Sequence, residues 1–501
     1  MYKLCLTCRF SRISTFLISV VALVTAANFG SALEPTPTEP TEGKPDVVTN
    51  AVVPVATRII VKYVENEAGR VANEAAALGA VESLATIAGA QIRHVRIMSG
   101  NAQVIEVVGL FGLERTEAIE TIESIAERIT ADPAVEYAEP DAIMQIQQAV
   151  DDPQFGQQWH YTMPVTGLNL ADGWSNSTGN GISVAVIDTG FRPHADLVGN
   201  LLPGFDFISN TTVANDGDGR DADASDPGDW CPPTRPNSSW HGTHVAGTVA
   251  AVTNNALGVA GVARSAKVVP VRVLGKCGGN LSDIADGMRW AAGLPVPGAP
   301  ANSNPAQVLN LSLGGSGACG PTYQNAFNDI VAAGSTVVVA AGNSNTNASG
   351  FRPANCDGVV TVASTNQAGA RSYYSNFGSV VEIAAPGGET HQATGRGVLS
   401  TLNTGATTPG ADSYAFYQGT SMASPHVAGV AALLYQLKPG INPVQVSTIL
   451  QATAQPFPTV SSNQCRTANC GAGIVDAGAA TAAVRPRQAA AMPWLRLLLK
   501  D

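Results

Sequence analysis

Positive charge is short in this chain: 28 Lys and Arg stand against 39 Asp and Glu across 501 residues, a formal net charge of -11. A polyanionic nucleic acid or an anionic membrane surface is therefore a poor main partner. Apolar runs long enough to cross a bilayer are missing too, since the N-terminal stretch 16–24 is short for a span. The six cysteines beyond the first few residues include no C-x-x-C pair, which argues against a sulfur-ligated metal. His241 and His244 lack an intervening Glu, so the H-E-x-x-H zinc-protease pattern is absent. What remains is 45% hydrophobic, enough for a large core, with 51 glycines that suit a loop-rich enzyme.

Three separated segments carry chemistry: 184–190 (VAVIDTG), 241–247 (HGTHVAG) and 419–423 (GTSMA). Asp188 ends the apolar run 184–187, which predicts a buried strand, so its carboxylate suits the task of fixing a histidine tautomer. His241 opens a stretch in which Val245, Val249 and Val252 recur at helical spacing. Ser421 opens another helix, with Pro425 placed in its first turn and Val427, Val430, Leu433 and Leu434 on its apolar face. A serine hydroxyl needs a base to become a nucleophile, and the free N–H groups of a helix start favour negative charge nearby. The run 336–340 predicts another buried strand, and Asn343 follows it, offering an amide for an oxyanion beside the Ser421 N–H.

At these residues the chain resembles the subtilisin-like serine proteases of the subtilase superfamily, over roughly 157–480. Asp188, His241 and Ser421 match the family's Asp-Thr-Gly, His-Gly-Thr-His and Gly-Thr-Ser-Met-Ala motifs in the order Asp, His, Ser, and Asn343 matches its oxyanion asparagine. The resemblance implies that Ser312, Leu313, Gly314 and Gly315, with Ala340, Ala341 and Gly342, line the first specificity pocket and pair with an extended substrate. Their small side chains imply room for a large apolar residue before the scissile bond. It also suggests the disulfides Cys231 with Cys277, Cys319 with Cys356, and Cys465 with Cys470, a choice that spacing alone leaves open among 15 connectivities. A structural calcium ion is implied on Asp196 and the loop 252–259, through Val252, Asn255, Leu257 and Val259, although Asn254 fits as well as Asn255 because the loop is one residue longer than the family's commonest form. A second calcium candidate is the acidic loop 215–229, with Asp216, Asp218, Asp221, Asp223 and Asp226; a solvated loop is its plain alternative.

The N-terminus, with Lys3, Arg9 and Arg12 before 16–24 and Gly30-Ser31-Ala32 after it, predicts a cleaved export signal over 1–32. Residues 33–56, rich in Pro, Thr and Glu, predict a disordered linker. Across 57–148 the order βαββαβ predicts a small α+β ferredoxin-like domain: strand 59–63, helix 67–88, strands 91–97 and 103–108, helix 116–130, strand 135–138. Before a subtilase, such a domain resembles the inhibitory and folding propeptide, with self-cleavage near 147–150. Residues 149–484 predict an α/β, doubly wound parallel-sheet catalytic domain, through strands 268–273, 308–311 and 336–340 and helices 282–292 and 322–333. The tail 485–501 is read as a processed end or a packing strap. The function implied is a secreted, extracellular serine endopeptidase reaching its destination through the periplasm. Its partners would be protein and peptide substrates and its own propeptide, and it would act as a monomer without stable membrane insertion. An α/β-hydrolase esterase is disfavoured because Ala423 replaces the last Gly of G-x-S-x-G. A binding protein on a dead protease scaffold would lack a triad member, and none is missing.

Overall fold

The computed structural model describes residues 57–108, 115–141, 150–391 and 393–484. The predicted signal, the predicted linker, most of the expected self-cleavage region and the tail 485–501 lie outside these. The chain divides into two compact units, residues 1–144 and 145–501.

In the first unit, strands β1 (Arg58–Tyr63), β2 (Ile92–Met98), β3 (Ala102–Val107) and β4 (Val135–Pro140) form one antiparallel sheet in the order β2-β3-β1-β4. Helices Glu74–Ala88 and Arg115–Thr130 complete the ferredoxin-like βαββαβ order. Leu84 from the first helix and Ile125 and Ile129 from the second share a core with Ile59, Val61 and Ile105. The predicted helix from residue 67 is interrupted because Asn73 starts a new one, its side chain accepting the Ala76 N–H at 3.0 Å, and a 3-10 turn (Glu65–Val71) precedes it.

The second unit is built on seven parallel strands: β5 (Ser183–Asp188), β6 (Phe205–Asp206), β7 (Lys267–Arg272), β8 (Val308–Leu311), β10 (Thr336–Ala340), β12 (Val360–Thr365) and β13 (Ile383–Pro386). Their order, β13-β12-β10-β8-β5-β7-β6, reverses direction at β5. Period-two alternation sends Val184 and Val186 to one face and Ala185 and Ile187 to the other. Both faces are covered. On the first, helices His241–Ala250 and Thr420–Leu437 bring Val245, Val249, Val427 and Val430 into one core; on the second, Leu281–Ala291 and Pro321–Ala332 bring Ile284, Met288, Phe327 and Ile330. Each fully buried aliphatic side chain of this kind contributes about 1.5–3 kcal/mol. Short strands β9 (Gly315–Ser316) and β11 (Phe351–Arg352) pair beside the sheet, as do β14 (Val398–Asn403) and β15 (Asp412–Tyr417). The sheet is thus an α/β doubly wound one, with Asp188 at its switch point.

Candidate active site

The strand end of β5, two helix starts and the exit of β10 converge. His241 begins its helix directly after Trp240, whose backbone is left-handed (φ 48°), and the next residue sits hard against the end of β5. A Cβ on Gly242 would lie 2.1 Å from the Gly190 carbonyl oxygen, so only glycine allows this approach. His241 Nδ1 consequently meets Asp188 Oδ1 at 2.7 Å, and the same oxygen accepts the Thr189 N–H at 2.8 Å. Asp188 is fully buried, whereas the imidazole is about one fifth exposed. Burial works against protonation of His241, but the charge and hydrogen bond of Asp188, with Asp229 behind it, outweigh burial and raise its pKa.

The helix carrying Ser421 starts one residue earlier, at Thr420, which moves Pro425 from the expected first turn into the second. Its missing N–H would have served the Ser421 carbonyl. That carbonyl instead accepts Ser312 Oγ at 2.8 Å, and Ser312 Oγ is held by Asn310 Nδ2 at 3.0 Å, with Ser424 Oγ on Asn310 Oδ1 at 2.6 Å. The Ser421 hydroxyl donates to the Ser312 carbonyl at 3.2 Å. Asn343 Oδ1 accepts both the Thr420 N–H and Thr420 Oγ1, each at 2.9 Å, which turns its Nδ2 outward. A carbon placed on Gly419 would lie 3.5 Å from the Ser421 nitrogen and 3.6 Å from Asn343 Nδ2. Two N–H donors therefore lie near one point at Gly419, two residues before Ser421.

Alongside lies an open cleft of about 500 Å³ lined by His241, Ser312, Leu313, Leu281, Ile284 and Tyr323. Gly314 and Gly315 also line it. Ala340, Ala341 and Gly342 do not line this cleft. The Ala341 and Gly342 N–H groups are bound to the Val362 carbonyl and Thr420 Oγ1.

A family model described as the Subtilase family matches residues 179–476. The chain belongs to that family. The subtilase is 53% identical over 379 residues to an extracellular protease of Xanthomonas campestris pv. campestris, covering 74% of this chain and 62% of that protein. It is 43% identical over 401 residues to an extracellular basic protease of Dichelobacter nodosus, covering 77% and 64%. The chain spans less than two thirds of either relative's length. A solved structure of a protease from Pseudoalteromonas arctica PAMC 21717 is similar at a TM-score of 0.65 and 58% identity, over 67% of this chain and all of that one.

The subtilase forms the three disulfides suggested by resemblance, Cys231–Cys277, Cys319–Cys356 and Cys465–Cys470. His244 is no metal ligand: its Nε2 lies on the Val398 and Ala415 carbonyls at 3.1 and 3.0 Å, and its ring stacks on Tyr417. The calcium ligand sets are arranged otherwise than expected. Asp196 accepts Asn255 Nδ2 and the Val259 N–H, each at 2.9 Å, and the Val252 N–H meets its carbonyl at 2.8 Å. Asn255 Oδ1 is taken by the Leu257 N–H, and the Tyr414 phenol packs onto Gly258 and hydrogen-bonds Asp196. Donors, not further acceptors, thus face the carboxylate, and the set does not fit a cation. Burial, opposed by these hydrogen bonds, lifts the Asp196 pKa to about 6. Asn254 turns away instead, its N–H on Asp152.

The acidic loop does not converge either. Asp216 pairs with Arg272, while Asp221, Asp223 and Asp226 each accept the backbone N–H two residues on. Asp218 joins no metal-sized group, and among the described residues no three His, Cys, Asp or Glu gather to hold an ion. Arg272, fully buried, reaches Asp206, Asp216 and the Ala214 carbonyl, so a guanidinium supplies the cation that loop neutralises. Thr420 and Phe351 are the site residues that sequence reasoning passed over. Thr420 lay inside the motif 419–423, whereas Phe351, eight residues beyond Asn343, carried no signal.

Proposed function

We propose that this subtilase is a secreted serine endopeptidase. Ser421 attacks the peptide carbonyl while His241 accepts its proton and later gives it to the leaving amine. Asp188 holds the imidazole tautomer and balances its positive charge, and Asn343 with the Ser421 N–H receives the oxyanion. The observation that carries this reading is the 2.7 Å contact of His241 Nδ1 with Asp188, set beside two N–H donors that share one point. For attack, the Ser421 hydroxyl leaves the Ser312 carbonyl and turns to His241 Nε2. Residues 57–148 act as the inhibitory propeptide of an autoprocessed zymogen, 149–484 as the catalytic domain, and 1–32 as the export signal that sends the chain through the periplasm. The three disulfides support an oxidising destination.

The test is labelling with a serine-directed fluorophosphonate. Labelling of the wild-type protein that is lost in Ser421→Ala, with casein hydrolysed and short-chain esters poorly so, supports the reading; an unlabelled wild type defeats it. Mass spectrometry of the active product should show an N-terminus near 147–150, and an active, uncleaved chain would defeat the propeptide role.

A further inference from the structure

Small side chains line both proposed walls around the residue before the scissile bond, yet the space between them is filled from elsewhere. A Cβ built on Gly314 would lie 2.6 Å from Phe351 Cε1, and one built on Gly342 would lie 2.7 Å from the same atom. One ring edge therefore touches both walls. Neither position has room for a methyl: beside the ring, the Arg352 carbonyl oxygen would lie 2.7 Å from a Cβ on Gly314 and Asn376 Nδ2 2.3 Å from one on Gly342, which with φ +104° also needs glycine for its backbone.

The ring is firmly held. Phe351 pairs with Ser316, and Arg352 with Gly315, in the β9–β11 ladder. The Gly317 N–H donates to the Gly350 carbonyl at 2.8 Å, the Asn355 N–H to the Phe351 carbonyl at 3.1 Å, and Asn355 Nδ2 to the Gly317 and Ser349 carbonyls. The Cys319–Cys356 disulfide ties the two flanking segments together a few residues further out. These bonds fix the Phe351 backbone, so the ring can make room for a bulky substrate only by leaving its rotamer.

We propose that Phe351 is the specificity-determining residue of this protein, closing the pocket so that it takes alanine-sized apolar residues immediately before the scissile bond. This replaces the large apolar residue that the small wall residues imply on their own, and it rests on the reading of Ser421 as nucleophile with 312–315 and 340–342 flanking that substrate residue. A pocket of fixed size discriminates by overpacking, and removing the ring should open it.

The experiment measures kcat/KM for a tetrapeptide anilide series varying only the residue before the cleaved bond, with the wild type, Phe351→Leu and Phe351→Ala. The wild type should prefer alanine to phenylalanine. The phenylalanine-to-alanine ratio should rise in steps, by about tenfold or more in Phe351→Ala. A wild type that already favours phenylalanine, or a ratio that stays within about threefold in both variants, overturns the proposal. Fluorophosphonate labelling of Ser421 in the same preparations separates the two readings: labelled protein with an unmoved ratio removes Phe351 alone, while an unlabelled wild type removes the nucleophile reading beneath it. Should Phe351→Ala fail to fold, Phe351→Leu and the wild-type preference still decide.

Discussion

Asn343 depends on Thr420 for the direction of its amide. Two Thr420 donors occupy Oδ1, so Nδ2 is the end presented to substrate. Asn343→Ala should lower kcat by about 10²–10³, the range known for the same position in a related subtilisin and not obtained from this geometry. Thr420→Val, which removes the hydroxyl bond to Oδ1 and keeps the N–H one, should lose less in the same direction; equal turnover by the purified Asn343→Ala protein would remove the donor from the mechanism. His241 makes a second prediction. Only its neutral form accepts the Ser421 proton, and its raised pKa keeps it charged at pH values where an ordinary histidine is neutral. The acid limb of kcat/KM should therefore fall above the usual histidine pKa. Asp229→Asn removes one of the charges that raise it and leaves Arg235 unneutralised, so the limb should move to lower pH. An unchanged limb in Asp229→Asn would show that Asp188 alone sets it.

At the level of elements, Arg272 joins β7 to the acidic loop and to β6. In the sheet it lies opposite Asp206, and both are fully buried. Removing one member of a buried pair leaves an uncompensated charge, so Arg272→Met should cost about 3–5 kcal/mol in denaturant unfolding of a Ser421→Ala background, where autolysis is absent. A loss below about 1 kcal/mol would mean that Asp206 is neutral in the folded protein. Nothing in the sequence marks this arginine, which reads as one more charge at a strand end. By contrast, β5, β8 and β10 were legible because a strand buried on both faces is a short apolar run. Strands β6, β12 and β13 were not: the first is two residues long, and β12 buries Thr361, Ser364 and Thr365, of which Thr361 bonds the Ala354 carbonyl and Ser364 the Tyr374 hydroxyl, both outside the strand, while Thr365 Oγ1 has no hydrogen-bond partner among the described residues. The catalytic candidates could be read because their motifs are local. Phe351 and the donors around Asp196 could not, since each acts through segments that meet only after folding.

Over the whole catalytic unit, three buried histidines should set acid stability. His160 Nδ1 and His426 Nε2 lie 2.8 Å apart, so one of these nitrogens donates and the other accepts, and the two rings cannot both be charged without repulsion. Burial and this neighbour hold His160 well below the ordinary value, and burial holds His244 and His426 at about 3. The unfolded chain binds these protons from about pH 6.5 downward while the folded one refuses them, so stability present above pH 6.5 drains away as pH falls toward 3. Three such sites give a slope of up to about 4 kcal/mol per pH unit. Asp226 and Glu382, both lifted to about 7 mainly by burial, with Asp206 at about 7 and Asp196 at about 6, pull the other way and weaken the fold as pH rises from about 4 toward 7, within the same window. Because the carboxyls offset the histidines over this range, the decisive measurement is a comparison: urea unfolding of Ser421→Ala with and without His244→Gln at pH 7, 6, 5 and 4 should show the midpoint falling more steeply below about pH 6.5 in the protein that keeps His244. The same pH dependence in both proteins would take His244 out of the account.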